Sequence, residues 1–268
     1  MLNHIGKAGF LNMKANLKKF DDVIGFEEVK EYIKKNVFVR KKGDKSVETI
    51  MLYGPDGCGK SMIAKAVAGE SGSEFVSFGP EDLLSEYLGD GNLMFKKIFS
   101  GVEKNDKTVM YIDDSERIFG EDSKFKKTFL ELLKETEDKK KNLTCFIGTC
   151  LPWKMDKEVI EKTDVSFYLC IPDKEKILQT VKQVFEHVPV DPNLDEDSVA
   201  DSFNGHSFEE IKEVCRKAAG KMFNRALETG SHDDYVKADD IKEFLSDMKK
   251  INSEEYLVKL ENYSKGEI

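Results

Sequence analysis

Five short runs of apolar, β-rich residues punctuate the first two thirds of the chain. They are "TIMLY" (49–53), "EFVSF" (74–78), "TVMYID" (108–113), "TCFIGT" (144–149) and "SFYLCI" (166–171). The first four are each followed by a helix-like stretch, such as "SMIAKAVAGE" after the first and "FKKTFLELLKETE" after the third. Near-continuous apolar strands alternating with helices predict a parallel sheet covered on both faces. After "IPD" (171–173) the strand signal stops. "DKEKILQTVKQVFEHV" places Ile177, Leu178, Val181, Val184 and Phe185 on one helical face. "FEEIKEVCRKAAGKMFNRALE" does the same with Phe208, Ile211, Val214, Ala218, Met222 and Ala226. "DDIKEFLSDMKKI" and "SEEYLVKLENY" continue the pattern. The expected organisation is an α/β nucleotide-binding domain over 1–172, with 1–19 as an extension, and an all-α domain over 173–268.

The chain of 268 residues is 40% hydrophobic and 35% charged, enough apolar material for a core. A net charge of −9 and a pI near 5.2 argue against a nucleic-acid backbone binder. The short basic run "DKKKN" (138–142) reads as a solvated loop. Five cysteines (Cys58, Cys145, Cys150, Cys170, Cys215) form no C-x-x-C pair, and the four histidines show no ligand spacing. They read as free thiols in a reducing compartment. No signal peptide and no apolar stretch of membrane-spanning length is visible, so an intracellular, cytoplasmic protein is expected.

Chemistry enters at "LYGPDGCGKSM". Gly54-x-x-x-x-Gly59-Lys60-Ser61 is the phosphate-loop pattern, preceded by a predicted strand and followed by a predicted helix. Backbone N–H groups of such a loop turn inward around phosphates. Asp56, Gly57, Cys58, Gly59, Lys60, Ser61 and Met62 are the expected nucleotide-binding positions. Lys60 reaches the outer phosphates and the Ser61 hydroxyl ligates Mg²⁺. Cys58 reads as a small filler rather than a redox switch. At the end of the third run, Asp113 suits the acid that holds Mg²⁺ through water. The bland alternative is a strand end capped by solvated aspartates.

These motifs resemble the AAA ATPases over nearly the whole chain. "FDDVIGFEEVKEYI" (20–33) looks like the family's "FDDVAGLEEAKE", whose backbone lies against adenine, which implicates Asp22, Ile24 and Gly25. "LYGPDGCGKS" is similar to "LYGPPGTGKT", "IGTCLPWKMD" to "GATNRPWDLD", and "FNGHSFEEIKEVCRKAA" to the helical-lid motif "GYSGSDIKNLCREAA". "EDLLSEYLGDG" and the C-terminal helices are similar to those of the microtubule-severing and vacuolar-sorting subgroup (katanin, spastin, fidgetin). The resemblance implies a P-loop NTPase fold with a parallel five-stranded sheet and a small all-α lid. It further implies ATP and Mg²⁺ as cofactors and a homo- or hetero-hexameric ring. A central-loop aromatic, here Tyr87, would grip a protein substrate. No nucleic-acid partner and no membrane insertion are expected. About twenty residues precede "FDDVIG", from which no substrate-recruiting adaptor domain is expected.

The departures from the family pattern concern hydrolysis. The catalytic glutamate is Asp114 here, shorter by roughly 1.5 Å of reach, where a 1 Å misplacement costs on the order of a hundredfold in rate. Asp114 acts as base only if the backbone shifts or a second water bridges. The sensor asparagine aligns with Cys150, whose thiol is a poor donor and acceptor. The paired arginines are Glu161 and Lys162, and Lys162 keeps charge without the fork geometry. Ser123 and Lys124 replace further arginines, and Glu86 replaces the basic residue before Tyr87. In the lid motif Gly205 is kept and Phe208 replaces a glycine, either packing onto the base or crowding it. His206 aligns with a position beside the nucleotide's sugar and base; the alternative is a surface histidine at a helix start. Binding elements are retained while turnover elements weaken together. The expectation is an ATPase with slow or partner-assisted hydrolysis, coupled to protein remodelling. The alternative is a nucleotide-gated, non-hydrolysing scaffold subunit of a mixed ring. A relic that binds nothing is disfavoured by the intact "GCGKS".

Overall fold

A computed structural model describes residues 17–39, 45–84, 91–230 and 234–267. Tyr87 and Glu86 lie outside the described residues. By packing, the chain forms two compact units. One comprises the described residues up to Gly54, then Lys60–Leu169 and those from Asn262 onward; the other comprises Pro55–Gly59 and Cys170–Glu261.

The first unit is built on five parallel strands: β1 (Val47–Tyr53), β2 (Glu74–Phe78), β3 (Lys107–Ile112), β4 (Asn142–Thr149) and β5 (Val165–Tyr168), in the order β2-β3-β4-β1-β5. All seven residues of β1 are buried, as expected of a strand covered on both faces. Its helices are α1 (Glu27–Ile33), α2 (Lys60–Ser71), α3 (Pro80–Leu84), α4 (Gly91–Val102), α5 (Ser115–Ile118), α6 (Lys126–Asp138) and α7 (Lys157–Glu161). On one face Phe95 and Phe99 of α4 and Phe129 and Leu133 of α6 pack with Met110 and Ile112 of β3 and Cys145 and Ile147 of β4. The rings form a cluster, with the Phe119 and Phe129 centroids 4.6 Å apart and those of Phe95 and Phe129 6.0 Å apart. Truncating Phe129, fully buried, to alanine would cost about 3–5 kcal/mol. Helix α2 lies along β3 and β4 and buries Ile63, Ala64, Val67 and Ala68.

The fifth strand ends at Tyr168 rather than at Ile171. It lies at the sheet edge and pairs only with β1, and its partner turns away after Tyr53. The Leu169 N–H still donates to Tyr53 O at 2.8 Å. At its start the Asp164 carboxylate accepts the Thr49 N–H at 2.8 Å, which pins the edge strand to β1.

The second unit is helical: α8 (Lys174–Val184), α9 (Glu196–Ser202), α10 (Phe208–Thr229), α11 (Ala238–Ser246) and most of α12 (Glu254–Ser264). Each of the first three begins at a residue whose side chain accepts a backbone N–H: Asp173, Asp195 and Ser207. Its core joins Ile177, Val181 and Phe185 of α8 to Ile211, Val214, Ala218 and Met222 of α10, with Ile241 of α11. Ala226, expected on the same face, is only half-buried. Helix α11 stops at Ser246, short of the Ile251 that periodicity predicted. The Ile251 N–H instead donates to the Glu210 carboxylate at 2.9 Å. The Cys215 thiol in this core is pushed up to about 12, chiefly by burial.

Candidate nucleotide site

The parallel register brings three strand ends to one edge of the sheet. Tyr53 pairs with Thr149 and Ile112 with Ile147, so Gly54, Asp113 and Cys150 all emerge there. Adjacent strands are about 4.8 Å apart, which makes these ends near neighbours. Gly54 must be glycine, because a Cβ would lie 2.2 Å from Leu169 O.

Lys60 opens α2 and is 7% exposed. Its ammonium donates to Gly54 O at 2.8 Å and to Cys150 Sγ at 3.1 Å. Lys60 and Cys150, predicted to share a site, are thus in direct contact. Asp113 is exposed and anchored by its backbone, whose N–H donates to Phe78 O at 2.9 Å. Its Oδ1 accepts the Tyr111 hydroxyl at 2.9 Å and the Asp114 N–H at 3.1 Å.

Asp114 has left-handed backbone, φ 44° and ψ 44°, just before α5. Few non-glycine residues occupy that region, and aspartate is among the more tolerant. Its Oδ2 is 3.6 Å from Arg117 Nη1, and Arg117 Nη2 also donates to Glu81 at 3.0 Å. Ser61 and Met62, in the first turn of α2, are half-buried. Asp22, Ile24 and Gly25 lie ahead of α1, with the Asp22 carboxylate accepting the Lys19 N–H at 2.7 Å. Glu161 and Lys162, at the end of α7, are exposed.

Two participants carried no motif signal. Tyr111 is 2% exposed and its ring packs against Gly148, where a Cβ would be 2.4 Å from the hydroxyl oxygen. Burial first, then the Asp113 charge and hydrogen bond, push the Tyr111 hydroxyl well above the usual tyrosine range. It therefore stays protonated and donates. Glu116 accepts the Thr149 hydroxyl at 2.7 Å, next to Cys150. Strand alternation beyond "YID" could have flagged Tyr111; only the fold reveals Glu116.

The remaining predicted residues belong to the helical unit. Asp56 O accepts the Asn252 side-chain amide at 3.5 Å, and Gly57 O accepts the Glu209 N–H at 3.2 Å. Gly57 has φ +74°, and Cys58 is fully buried. Gly59 closes this segment, also with positive φ.

His206 is not a surface residue: it is 5% exposed. Its Nδ1 stands 3.5 Å from Glu210 Oε1, and its ring meets Phe203 edge-on. Burial lowers the His206 pKa against the opposing pull of Glu210. Burial pushes the Glu210 carboxyl up, but the N–H groups of Ser207 and Ile251, the Ser207 hydroxyl and His206 outweigh it and hold it below the usual range. Phe208 is buried in the same unit.

The donor set of the first unit is an ammonium, a hydroxyl and a carboxylate at the carboxyl edge of a parallel sheet. It suits a nucleotide phosphate with a hard divalent cation. Together with the β2-β3-β4-β1-β5 parallel sheet, this combination fits a P-loop nucleotide-binding fold. Residues 50–171 match the model of the "ATPase family associated with various cellular activities (AAA)".

Cell division protein C of Sulfolobus acidocaldarius is 27% identical over 259 residues, covering 88% of this chain and 68% of that protein. Vacuolar protein sorting-associated protein 4 of Dictyostelium discoideum is 27% identical over 251 residues, 86% of this chain and 55% of the relative. Meiotic spindle formation protein mei-1 of Caenorhabditis elegans is 24% identical, over 78% of this chain and 48% of the relative. The chain thus spans about half to two thirds of the length of these relatives.

The fold matches the crystal structure of the FIGL-1 AAA domain with a TM-score of 0.79 at 21% identity, covering 94% of this chain and 90% of that one. It also matches a chain from "Structural Basis for Katanin Self-Assembly" with a TM-score of 0.78 at 21% identity, covering 93% and 91%. No helix among the described residues is long and apolar enough to cross a membrane.

Proposed function

We propose that this chain binds MgATP, hydrolyses it slowly, and couples the cycle to remodelling of a protein substrate as one subunit of a ring. The observation that carries the reading is the pairing of a buried phosphate-loop lysine, Lys60, with a sensor position occupied by a thiol, Cys150. Lys60 holds the outer phosphates. Ser61 and Asp113 hold Mg²⁺, with the Tyr111 hydroxyl fixing one Asp113 oxygen. The ion would supply charge stabilisation to the transferring phosphoryl group.

Asp114 orients the attacking water from a shorter arm than glutamate has. Lys162 stands where an arginine would serve a neighbouring subunit. Asp22, Ile24, Gly25 and His206 are assigned to the base and sugar, and Tyr87 to the gripped polypeptide. A relative named for vacuolar protein sorting supports a role with proteins, and a fold neighbour titled for katanin self-assembly is consistent with assembly into a ring.

A second reading, a nucleotide-gated scaffold subunit with negligible turnover, is favoured by the Asp114–Arg117 approach, since the guanidinium competes for the carboxylate. Steady-state phosphate release across a range of protein concentrations separates the two. A low rate that rises with concentration supports the ATPase ring. ATP binding with no release at any concentration supports the scaffold. ATP affinity unchanged by Lys60→Ala would refute the phosphate-site assignment underlying both.

A further inference from the structure

At the opposite edge of the sheet from Gly54, where the strands begin, the first unit contains a cavity of about 400 Å³. Its walls include Lys34, Phe38, Ser73, Lys107, Thr108 and Asn142. Ser73, Thr108 and Thr144, which also lines it, are all more than nine-tenths buried. Thr108 is decisive. It is 2% exposed, and its hydroxyl oxygen has no hydrogen-bond partner. A buried hydroxyl left without a partner costs about 1–3 kcal/mol, so such groups are ordinarily satisfied by something that occupies the space beside them.

The charges on the walls select the occupant. Lys34 and Lys107 oppose one carboxylate, Glu70, so the wall carries net positive charge. Among the described residues Lys107 makes no ion pair, and Lys34 stands over the Phe20 ring at 5.7 Å. The carboxyl end of α2 reaches this wall and by itself would repel an anion. Two carbonyls near that end are already engaged: the Ser71 hydroxyl donates to Val67 O at 2.6 Å, and the Ser73 N–H donates to Ala68 O at 3.0 Å. Hydroxyls and an amide complete the lining, with Phe38 and Val37 as an apolar side.

We propose that this cavity binds a small hydroxylated anion of sugar-phosphate size. Its anionic group sits between Lys34 and Lys107, and its hydroxyls bond Thr108, Ser73 and Asn142. Three elements that line the cavity at one end carry nucleotide-site residues at the other. Helix α2 runs from Lys60 to Ser71, β3 from Lys107 toward Asp113, and β4 from Asn142 toward Cys150.

The test is calorimetric titration of the whole chain, saturated with ADP and Mg²⁺ so that the phosphate loop is filled. The probes are glucose 6-phosphate, gluconate, glucose and inorganic phosphate. Glucose 6-phosphate or gluconate should bind at least tenfold more tightly than glucose or phosphate alone, since both the charge and the hydroxyls are used. Thr108→Val, close to isosteric, should weaken that binding at least tenfold while leaving ADP affinity unchanged and the fold at least as stable. Lys107→Gln should weaken it and flatten its salt dependence. No heat with any probe at millimolar concentration would mean that the cavity holds only water, and overturns the proposal. Binding that survives Thr108→Val but disappears in Lys60→Ala would belong to the phosphate loop, and also overturns it.

Discussion

The Lys60 ammonium donates a hydrogen bond to the Cys150 sulfur at 3.1 Å, so this buried cation rests on a soft, weak acceptor. An amide at position 150 would offer a carbonyl to Lys60 and an N–H to water or phosphate. Cys150→Asn is expected to raise phosphate release on the order of tenfold, because one properly placed donor contributes at least that much to such reactions. Asp114→Glu should raise it further by restoring reach, and the double variant should exceed either single change. Measured rates that stay flat in all three would point to Lys162 as the limiting residue.

Tyr111 donates to Asp113 from a fully packed position. Tyr111→Phe keeps the ring and deletes the hydroxyl. The expected loss is about 1 kcal/mol of unfolding free energy, read as a lower urea midpoint at unchanged slope. Looser Mg²⁺ dependence of nucleotide binding should accompany it, because among the described residues Asp113 Oδ1 is then held only by the Asp114 N–H.

His206 is buried and its pKa is lowered, so the folded state resists protonation that the unfolded state accepts. Stability should be level above the ordinary histidine pKa of about 6.5. It should fall as pH drops from there toward the lower folded value. Thermal melts of the parent and of His206→Gln between pH 5 and pH 8 check this. The variant should lose most of the slope over that window.

Arg225 binds two carboxylates at once, Asp234 at 2.6 Å and Asp240 at 2.9 Å. Asp240 is 3% exposed; burial raises its pKa, and the Arg225 hydrogen bond and the Lys237 N–H outweigh that and hold it low. Removing the guanidinium leaves a buried carboxylate without its main partner. Arg225→Met should destabilise the helical unit by about 3 kcal/mol. Asp240→Asn in the Arg225→Met background should recover part of the loss, which denaturant titration would show.

β1, β3 and β4 could be read because buried parallel strands are nearly unbroken apolar runs, and the half-buried edge strands β2 and β5 were still marked by their β-branched and aromatic residues. The amphipathic faces of α8 and α10 were equally plain. The end of β5 was not legible, since its apolar letters continue past the point where β1 stops offering a partner. The end of α11 was hidden for a related reason: Glu210, far away in sequence, captures the Ile251 N–H. The placing of Lys60 at the start of α2 and of Asp113 at the end of β3 was readable because both follow from local strand and helix patterns. Tyr111 carried no motif although strand alternation puts it on the same side as Asp113, and Glu116 was not readable because its partner, Thr149, comes from β4. A histidine at a helix start looks exposed on paper; the packing of Phe203 and Glu210 around it buries it.

Gly148 makes room for the Tyr111 ring, and nothing larger fits while that ring is present. The two positions therefore constitute one heritable character. A methyl group at 148 is viable only in a chain that has already traded the tyrosine for something smaller, and that trade removes the hydroxyl from Asp113. Randomising both codons together and selecting for folded protein should return either the glycine–tyrosine combination or paired replacements, with alanine opposite tyrosine missing from the survivors.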